Sequence, residues 1–217
     1  KGKIREKVES SKEIGLLSKK LVTIITDVPI EIDFEQIRSE HDCVHYFETG
    51  LWDPTSDVSS KQALSSNFKT VHCIEIRDEW VQSGNKVFEN EIKNGRYFLY
   101  QDDSSNMNKY VNDEKFTEKT MFFLDAHLDN SALIKYNLKQ RCPLFDELEA
   151  IKQLSRKDNI ILIDDLRIIT THCWGEQSYG NINVLEKIKE KILEINPDYK
   201  FSTLNGHVEN DVLISYV

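Results

Sequence analysis

The sequence predicts an α/β domain built on a doubly wound, mostly parallel sheet, with helices on both faces and an antiparallel hairpin at its end. Three observations carry that expectation. From residue 43 onward, apolar runs of strand length alternate with amphipathic helical stretches, which implies right-handed βαβ units. The runs TVHCIEI, MFFLDAH and NIILIDDLR are nearly continuous rather than alternating, as strands covered on both faces must be. Each run also stops on a carboxylate, at the edge where open sheets of this kind bind their ligands.

The elements follow in order. Residues 1–40 read as a helical lead-in, with Val8, Ile14, Leu17 and Leu21 at helical spacing, then Pro29 and the short FEQIRSE segment. The domain proper spans 41–217. CVHYFETG (43–50) is the first strand, and VSSKQALSSN (58–67) is the helix after it. TVHCIEI (70–76) is the second strand, and residues 78–93, carrying Trp80, Val81 and Phe88, are one helix. RYFLYQDD (96–103) and MFFLDAH (121–127) are the third and fourth strands. CPLFDELEAIKQLS (142–155) is an amphipathic helix, with Pro143 near its first turn, where a missing N–H does no harm. NIILIDDLR (159–167) is the fifth strand, and INVLEKIKEKILEIN (182–196) is a helix ended by Pro197. KFSTL and DVLISYV form the closing hairpin around Asn205-Gly206.

Composition narrows the function. With 39% hydrophobic and 30% charged residues the chain is globular rather than disordered. A net charge of −9, with no basic stripe, disfavours a nucleic-acid-binding surface. No apolar run approaches the roughly eighteen residues of a membrane span, and no signal-peptide pattern opens the sequence. The four cysteines, Cys43, Cys73, Cys142 and Cys173, lack the spacing of a zinc knuckle, and no glycosylation sequon occurs. Cys43 and Cys73 fall in apolar runs and read as buried thiols. A reducing, cytoplasmic location is expected. The opening Lys-Gly-Lys, without methionine, reads as a domain cut from a longer polypeptide whose other domains are its partners.

The strand ends collect acids: Glu48-Thr49-Gly50, Glu75, Asp102-Asp103-Ser104, Asp125 with His127, and Asp164-Asp165. Solvation explains any one of them but not five at a single edge. Glu75, ending the second strand, is placed to accept both hydroxyls of an adenosine ribose, with Asp102 and Ser104 toward an adenine edge. Gly50 lets the first turn approach a ligand, beside Ser59 and Ser60 at the start of the next helix. That loop reads GLWDPTSDVSS, not G-x-G-x-x-G, so a dinucleotide pyrophosphate lacks its cradle and a nucleoside ligand without phosphates is favoured over NAD. Asp125, Asp164 and Asp165 would repel one another without a cation among them, and all-oxygen ligation suits a hard ion, Mg²⁺ or Mn²⁺. The competing reading has these acids capping helices or pairing with Arg167 or Lys135. His127, two residues beyond Asp125 on an extended strand, points the same way and reads as a general base, neutral near pH 7.

The order FETG, HCIEI, acidic third strand and closing hairpin resembles the class I S-adenosylmethionine-dependent methyltransferases, over nearly the whole chain from Asp42. FFLDAH, CPLFDELEAI and NIILIDDLR are similar, more narrowly, to metal-dependent sugar and glycan O-methyltransferases. The resemblance implies a Rossmann-like fold, S-adenosylmethionine as cofactor, a sugar or glycan acceptor, a cation held by Asp125, Asp164 and Asp165, and His127 as base. The first loop departs from the family pattern in lacking its second and third glycines. The start without methionine also resembles methyltransferase domains of large chlorovirus glycan-synthesis proteins. On this reading the loops 128–141 and 170–180 form the acceptor pocket, with His172 as reserve base. Trp174 and Tyr179 are then the rings for a sugar face, against the plainer reading that Trp174 packs under its own loop. Two other functions stay open at this point. One is a nucleotide-sugar glycosyltransferase with Asp125-Ala126-His127 as a degenerate DxD motif. The other is a non-catalytic scaffold domain of a larger synthase.

Overall fold

In the computed structural model, residues 32–138, 140–171 and 179–217 are described. The expected helical lead-in up to residue 31, and His172, Cys173 and Trp174, lie outside the described residues. Within them, the chain runs α1 (Phe34–Glu40), β1 (His45–Thr49), α2 (Ser59–Ser65), β2 (Thr70–Glu75), α3 (Asp78–Val87), α4 (Glu89–Lys93) and β3 (Tyr97–Gln101). A 3₁₀ turn (Ser104–Lys109) leads to β4 (Thr120–Leu124), α5 (Asn130–Tyr136), α6 (Leu144–Gln153) and β5 (Ile160–Ile163). The chain closes with α7 (Leu166–Ile169), α8 (Val184–Ile195), β6 (Lys200–Leu204) and β7 (Val212–Tyr216).

The strands form one seven-stranded sheet in the order β3-β2-β1-β4-β5-β7-β6, parallel from β3 to β5. β7 runs antiparallel to both β5 and β6, so the hairpin joins the sheet through its second strand. The central strands β1, β4 and β5 are buried along their whole length, and their unbroken apolar sequences are the consequence. The edge strand β6 is mostly solvated, and its KFSTL sequence is accordingly polar.

Side-chain alternation divides the core into two layers. Phe47, Ile74, Phe122, Leu124, Ile161 and Ile163 point toward α6 and α8, where Leu148, Ile151, Ile188 and Ile192 meet them. Tyr46, Cys73, Met121, Phe123 and Leu162 point to the other face, toward α1 and α2. Phe34 of α1 is fully buried there, its ring 5.2 Å from Tyr46 and 5.4 Å from Phe123. α1 precedes the expected domain start at residue 41, yet Ile32, Phe34 and Ile37 belong to this core.

Two local differences from the sequence expectation have physical causes. Residues 78–93, expected as one helix, divide into α3 and α4 at Phe88, whose φ of −103° and ψ of 23° break the turn. Phe88 is buried with its ring 4.6 Å from Tyr97, so packing against β3 overrides helix continuity. The expected loop 128–141 contains α5, whose start is capped by Asp129 accepting from the Ala132 N–H at 2.8 Å. Asn137, left-handed at φ 53°, ends it. Among the described residues no helix is long and apolar enough to cross a membrane.

Phe34→Ala removes a ring sandwiched in the core and is expected to cost about 3–5 kcal/mol of unfolding free energy. Urea denaturation measures it, and a loss below about 1 kcal/mol would mean that α1 is peripheral to the domain.

Candidate functional site

A cleft of about 500 Å³ opens at the carboxyl ends of the strands, running from Gly50–Trp52 past Glu75 and Ser104 to Asp125 and the Asp164-Asp165 pair. Its floor is set by backbone geometry. Gly50 has φ +87°, and a Cβ there would stand 2.9 Å from the carbonyl oxygen of Asp125, so only glycine fits between the first loop and β4. The Asp125 N–H is shared between the carbonyl and the hydroxyl of Thr49, at 3.1 and 3.3 Å. Glu75 is buried, and its carboxylate accepts the N–H groups of Leu51 at 2.8 Å, Trp52 at 3.2 Å and Arg77 at 2.7 Å. Burial raises its pKa against the pull of those N–H dipoles.

The other expected cofactor residues divide. Ser59 and Ser104 line the cleft, as does Asp102. Asp102 is heavily engaged, accepting from Asp103 N, Asn106 Nδ2, Lys109 Nζ and the Tyr110 hydroxyl. Burial opposes ionisation there, but these donors outweigh it and hold the carboxyl below its ordinary value. Glu48, Thr49 and Ser60 stand as corrections, because none of the three lines the cleft. Strand alternation turns Glu48 to the same face as Tyr46, where it is fully buried. It accepts from the Tyr46 hydroxyl at 2.9 Å, from Ser59 Oγ at 2.7 Å and from Ser60 Oγ, and burial pushes its pKa up to about 7.

At the other end, Asp125, His127 and Asp165 bring ligand atoms within 4.8 Å of one another, and so do Asp164, Asp165 and Asp211. The expected trio of Asp125, Asp164 and Asp165 is thus divided between two overlapping groups, joined by His127 and by Asp211 just before β7. His127 Nε2 lies 3.0 Å from Asp165 Oδ2, and Nδ1 lies 3.4 Å from Asp125 Oδ1. The Arg167 guanidinium pairs with Asp165 and with the fully buried Asp211 carboxylate, so part of the competing ion-pair reading is realised. Lys135 pairs instead with Asp78 and Glu79.

These contacts set the charges. Burial, reinforced by the charges of Asp125 and Asp165, pushes Asp164 up to about 7. Burial works against the His127 charge, but hydrogen bonds and charges from the two carboxylates overcome it and raise the imidazole to about 10. The neutral base expected near pH 7 is therefore an imidazolium in this arrangement. Among the described residues, four carboxylates face one arginine and one histidine, so two negative charges are left uncompensated when all are ionised. Asp125 Oδ1 is buried and, among the described residues, has the long His127 Nδ1 contact at 3.4 Å but no well-aligned hydrogen bond. Uncompensated charge, a weakly held oxygen and hard oxygen donors fit a divalent cation.

Of the expected acceptor residues, Tyr179 is a correction. Its ring stacks on Phe145 at 3.9 Å and its hydroxyl donates to the Cys142 carbonyl at 2.6 Å, so it packs against the core and does not line the cleft. Leu128, Asp129, Leu138 and Gln140 of the 128–141 segment do line it. The sequence reading missed Trp52 and Trp80, whose rings lie 6.0 Å apart at the cleft, and the buried Glu147 of α6. Glu147 was legible, since it falls on the apolar stripe of Leu144, Leu148 and Ile151. Burial pushes its carboxyl up to about 8.

In EDTA-treated protein, ¹⁵N NMR is expected to show His127 as an imidazolium at about pH 8. His72, which burial lowers to about 3, is neutral there. Because the folded pKa of His127 lies above its unfolded value of about 6.5, its stabilisation is complete below that pH and is lost as pH rises through about 10. His127→Ala should therefore destabilise more at about pH 6 than above pH 10, and equal losses at both would contradict the assignment.

No family model and no curated protein matches the chain. Solved structures do. An O-methyltransferase from Bacillus cereus in complex with SAH aligns with a TM-score of 0.52 at 13% identity, over 95% of this chain and 89% of that one. A methyltransferase from Geobacter sulfurreducens aligns at 0.51 and 13%, over 93% and 87%. A spermidine synthase from Thermotoga maritima aligns at 0.50 and 9%, over 86% of this chain and 59% of that one. At such identities the likeness speaks for the fold, and a fold hosts more than one reaction. The seven-stranded sheet, its order and its closing hairpin give this chain the fold of the class I S-adenosylmethionine-dependent methyltransferases.

Proposed function

We propose that the chain, from residue 41 to 217 with α1 packed on it, is an S-adenosylmethionine-dependent O-methyltransferase. Its acceptor is a hydroxyl of a sugar or glycan, and a divalent cation, Mg²⁺ or Mn²⁺, assists the transfer. The observation that carries the reading is Glu75, a buried carboxylate at the end of β2, in one cleft with the acid group at the ends of β4 and β5. A carboxylate there suits the paired hydroxyls of a ribose, and the cleft volume suits a nucleoside together with a small acceptor.

Bound in this cleft, S-adenosylmethionine supplies the methyl group and the cation lowers the pKa of the acceptor hydroxyl. The chain's own residues bind and orient. Asp125, Asp164 and Asp165 would hold the cation, with His127 between the first and third. Two carboxylates keep the His127 proton in place, so the imidazole accepts a proton only in a state where they are engaged elsewhere. Trp52 and Trp80 offer indole faces to the apolar side of a sugar ring, in place of Tyr179. A nucleotide-sugar reading is less favoured, because Arg167 and Lys135, the basic groups a diphosphate needs, are engaged by carboxylates. Three buried thiols, Cys43, Cys73 and Cys142, suit a reducing cytoplasm.

Isothermal titration with S-adenosylhomocysteine tests the cofactor half. Glu75→Ala is expected to lose about 1.5–3 kcal/mol of affinity, on the order of 10–100-fold. The melting temperature is followed in parallel because the same carboxylate holds the first loop. Unchanged affinity would remove Glu75 from the ribose. The cation half is tested by chelation: EDTA should abolish methyl transfer to a sugar hydroxyl and leave cofactor binding in place, and full turnover in EDTA would overturn it.

A further inference from the structure

Helix α6 places a carboxyl where its amphipathic pattern calls for an apolar side chain. Glu147 is 1% exposed, among Leu144, Leu148 and Ile151. Hydrogen bonds with Ser104 and Thr49 support the carboxyl from the cleft side. Its Oε1 has no hydrogen-bond partner among the described residues, and Asp125 Oδ1 has no well-aligned one. Both residues border a small void of about 10 Å³ behind the strand ends, together with His127, Cys142 and Asp164. A void of that size holds about one water molecule. Two buried carboxyl oxygens thus border one water-sized space that a single water can bridge. Among the described residues, one has only the His127 Nδ1 at 3.4 Å, and the other sits on a carboxyl that burial keeps protonated up to about pH 8.

We propose that Glu147 is a positioning residue for Asp125. A single water in the void donates one hydrogen to Asp125 Oδ1 and bonds Glu147 Oε1, accepting from the carboxyl when it is neutral and donating to it when it is ionised. It so fixes the orientation in which Asp125 borders the cleft. The acid on α6 is thereby the outer partner of a cation-holding carboxylate, a role that rests on the cation reading above. Burial of Glu147 on an otherwise apolar stripe has a purpose on this view, because a leucine there would pack as well but leave Asp125 held by the His127 contact alone.

The experiment measures Mn²⁺ affinity of the full chain by titration calorimetry, with melting temperature alongside. Glu147→Leu is expected to weaken Mn²⁺ binding by about 10–100-fold, the usual loss when an outer partner of a metal ligand is removed. Glu147→Gln retains an acceptor oxygen and should bind close to wild type. A merely structural Glu147 would move the melting temperature without this pattern of loss and rescue. Wild-type affinity in a folded Glu147→Leu overturns the inference. Failure of the wild type to bind Mn²⁺ at all overturns the cation reading instead, and the role of Glu147 toward the cation with it. Should Glu147→Leu not fold, a crystal structure of the wild type decides. A water within hydrogen-bonding distance of both oxygens is expected, and an empty void, or a direct bond between the two carboxyls, refutes the link.

Discussion

The carboxylate of Glu75 is the interaction on which the cleft depends. It gathers N–H groups from the loop after β1 and from the turn into α3, and so locks two strand ends to each other. A glycine-rich loop usually leaves such N–H groups pointing at a phosphate. Here the N–H groups of Leu51 and Trp52 are occupied by the protein's own acid, which explains how a loop with a single glycine and a proline holds its course. Gly50 is retained because the loop also presses on the Asp125 carbonyl, where no Cβ fits. One buried acid and one glycine thus do the work of a longer motif, at the cost of a phosphate cradle.

The acids around the cleft carry different charges because their surroundings differ. Asp102 and Asp165 are surrounded by donors and stay ionised despite burial. Glu48 and Glu147 sit against the two apolar layers, where burial dominates and favours the neutral form. Asp164 belongs with the second group, since the negative charges of Asp125 and Asp165 add to its burial. The two acids that stay ionised therefore lie apart, Asp102 after β3 and Asp165 after β5.

The two walls of the cleft are built differently. Its floor is packed backbone between strands. Its α5 side is held to α3 by Arg77 with Asp129, Lys135 with Asp78 and Glu79, and the Tyr136 hydroxyl with Asp78. Exposed pairs of this kind contribute less than about 1 kcal/mol each, and Ala132 is the buried residue of α5. The α5 side of the cleft thus rests on weaker bonds than the side that carries Glu75.

The sequence by itself determined the strands, their mostly parallel pairing up to the hairpin, and the row of acids at one edge. These are encoded locally: a strand buried on both faces must be an unbroken apolar run, and the residue after it must meet the ligand edge. That logic carried Glu75, Asp125, Asp164 and Asp165 to the cleft, and it brought His127 against Asp125. Other facts belonged to the tertiary structure alone. Alternation sends Glu48 to the opposite face, but whether that face holds a ligand or a helix depends on where α2 packs. Tyr179 is claimed by Phe145, and Phe88 breaks a helix to reach Tyr97, because burying a ring outweighs local periodicity. Asp211 enters the acid group only because β7 pairs with β5, about fifty positions away in the chain. The charge of His127 was equally out of reach, since a histidine's pKa follows its neighbours in space, and here those are two carboxylates from different strands.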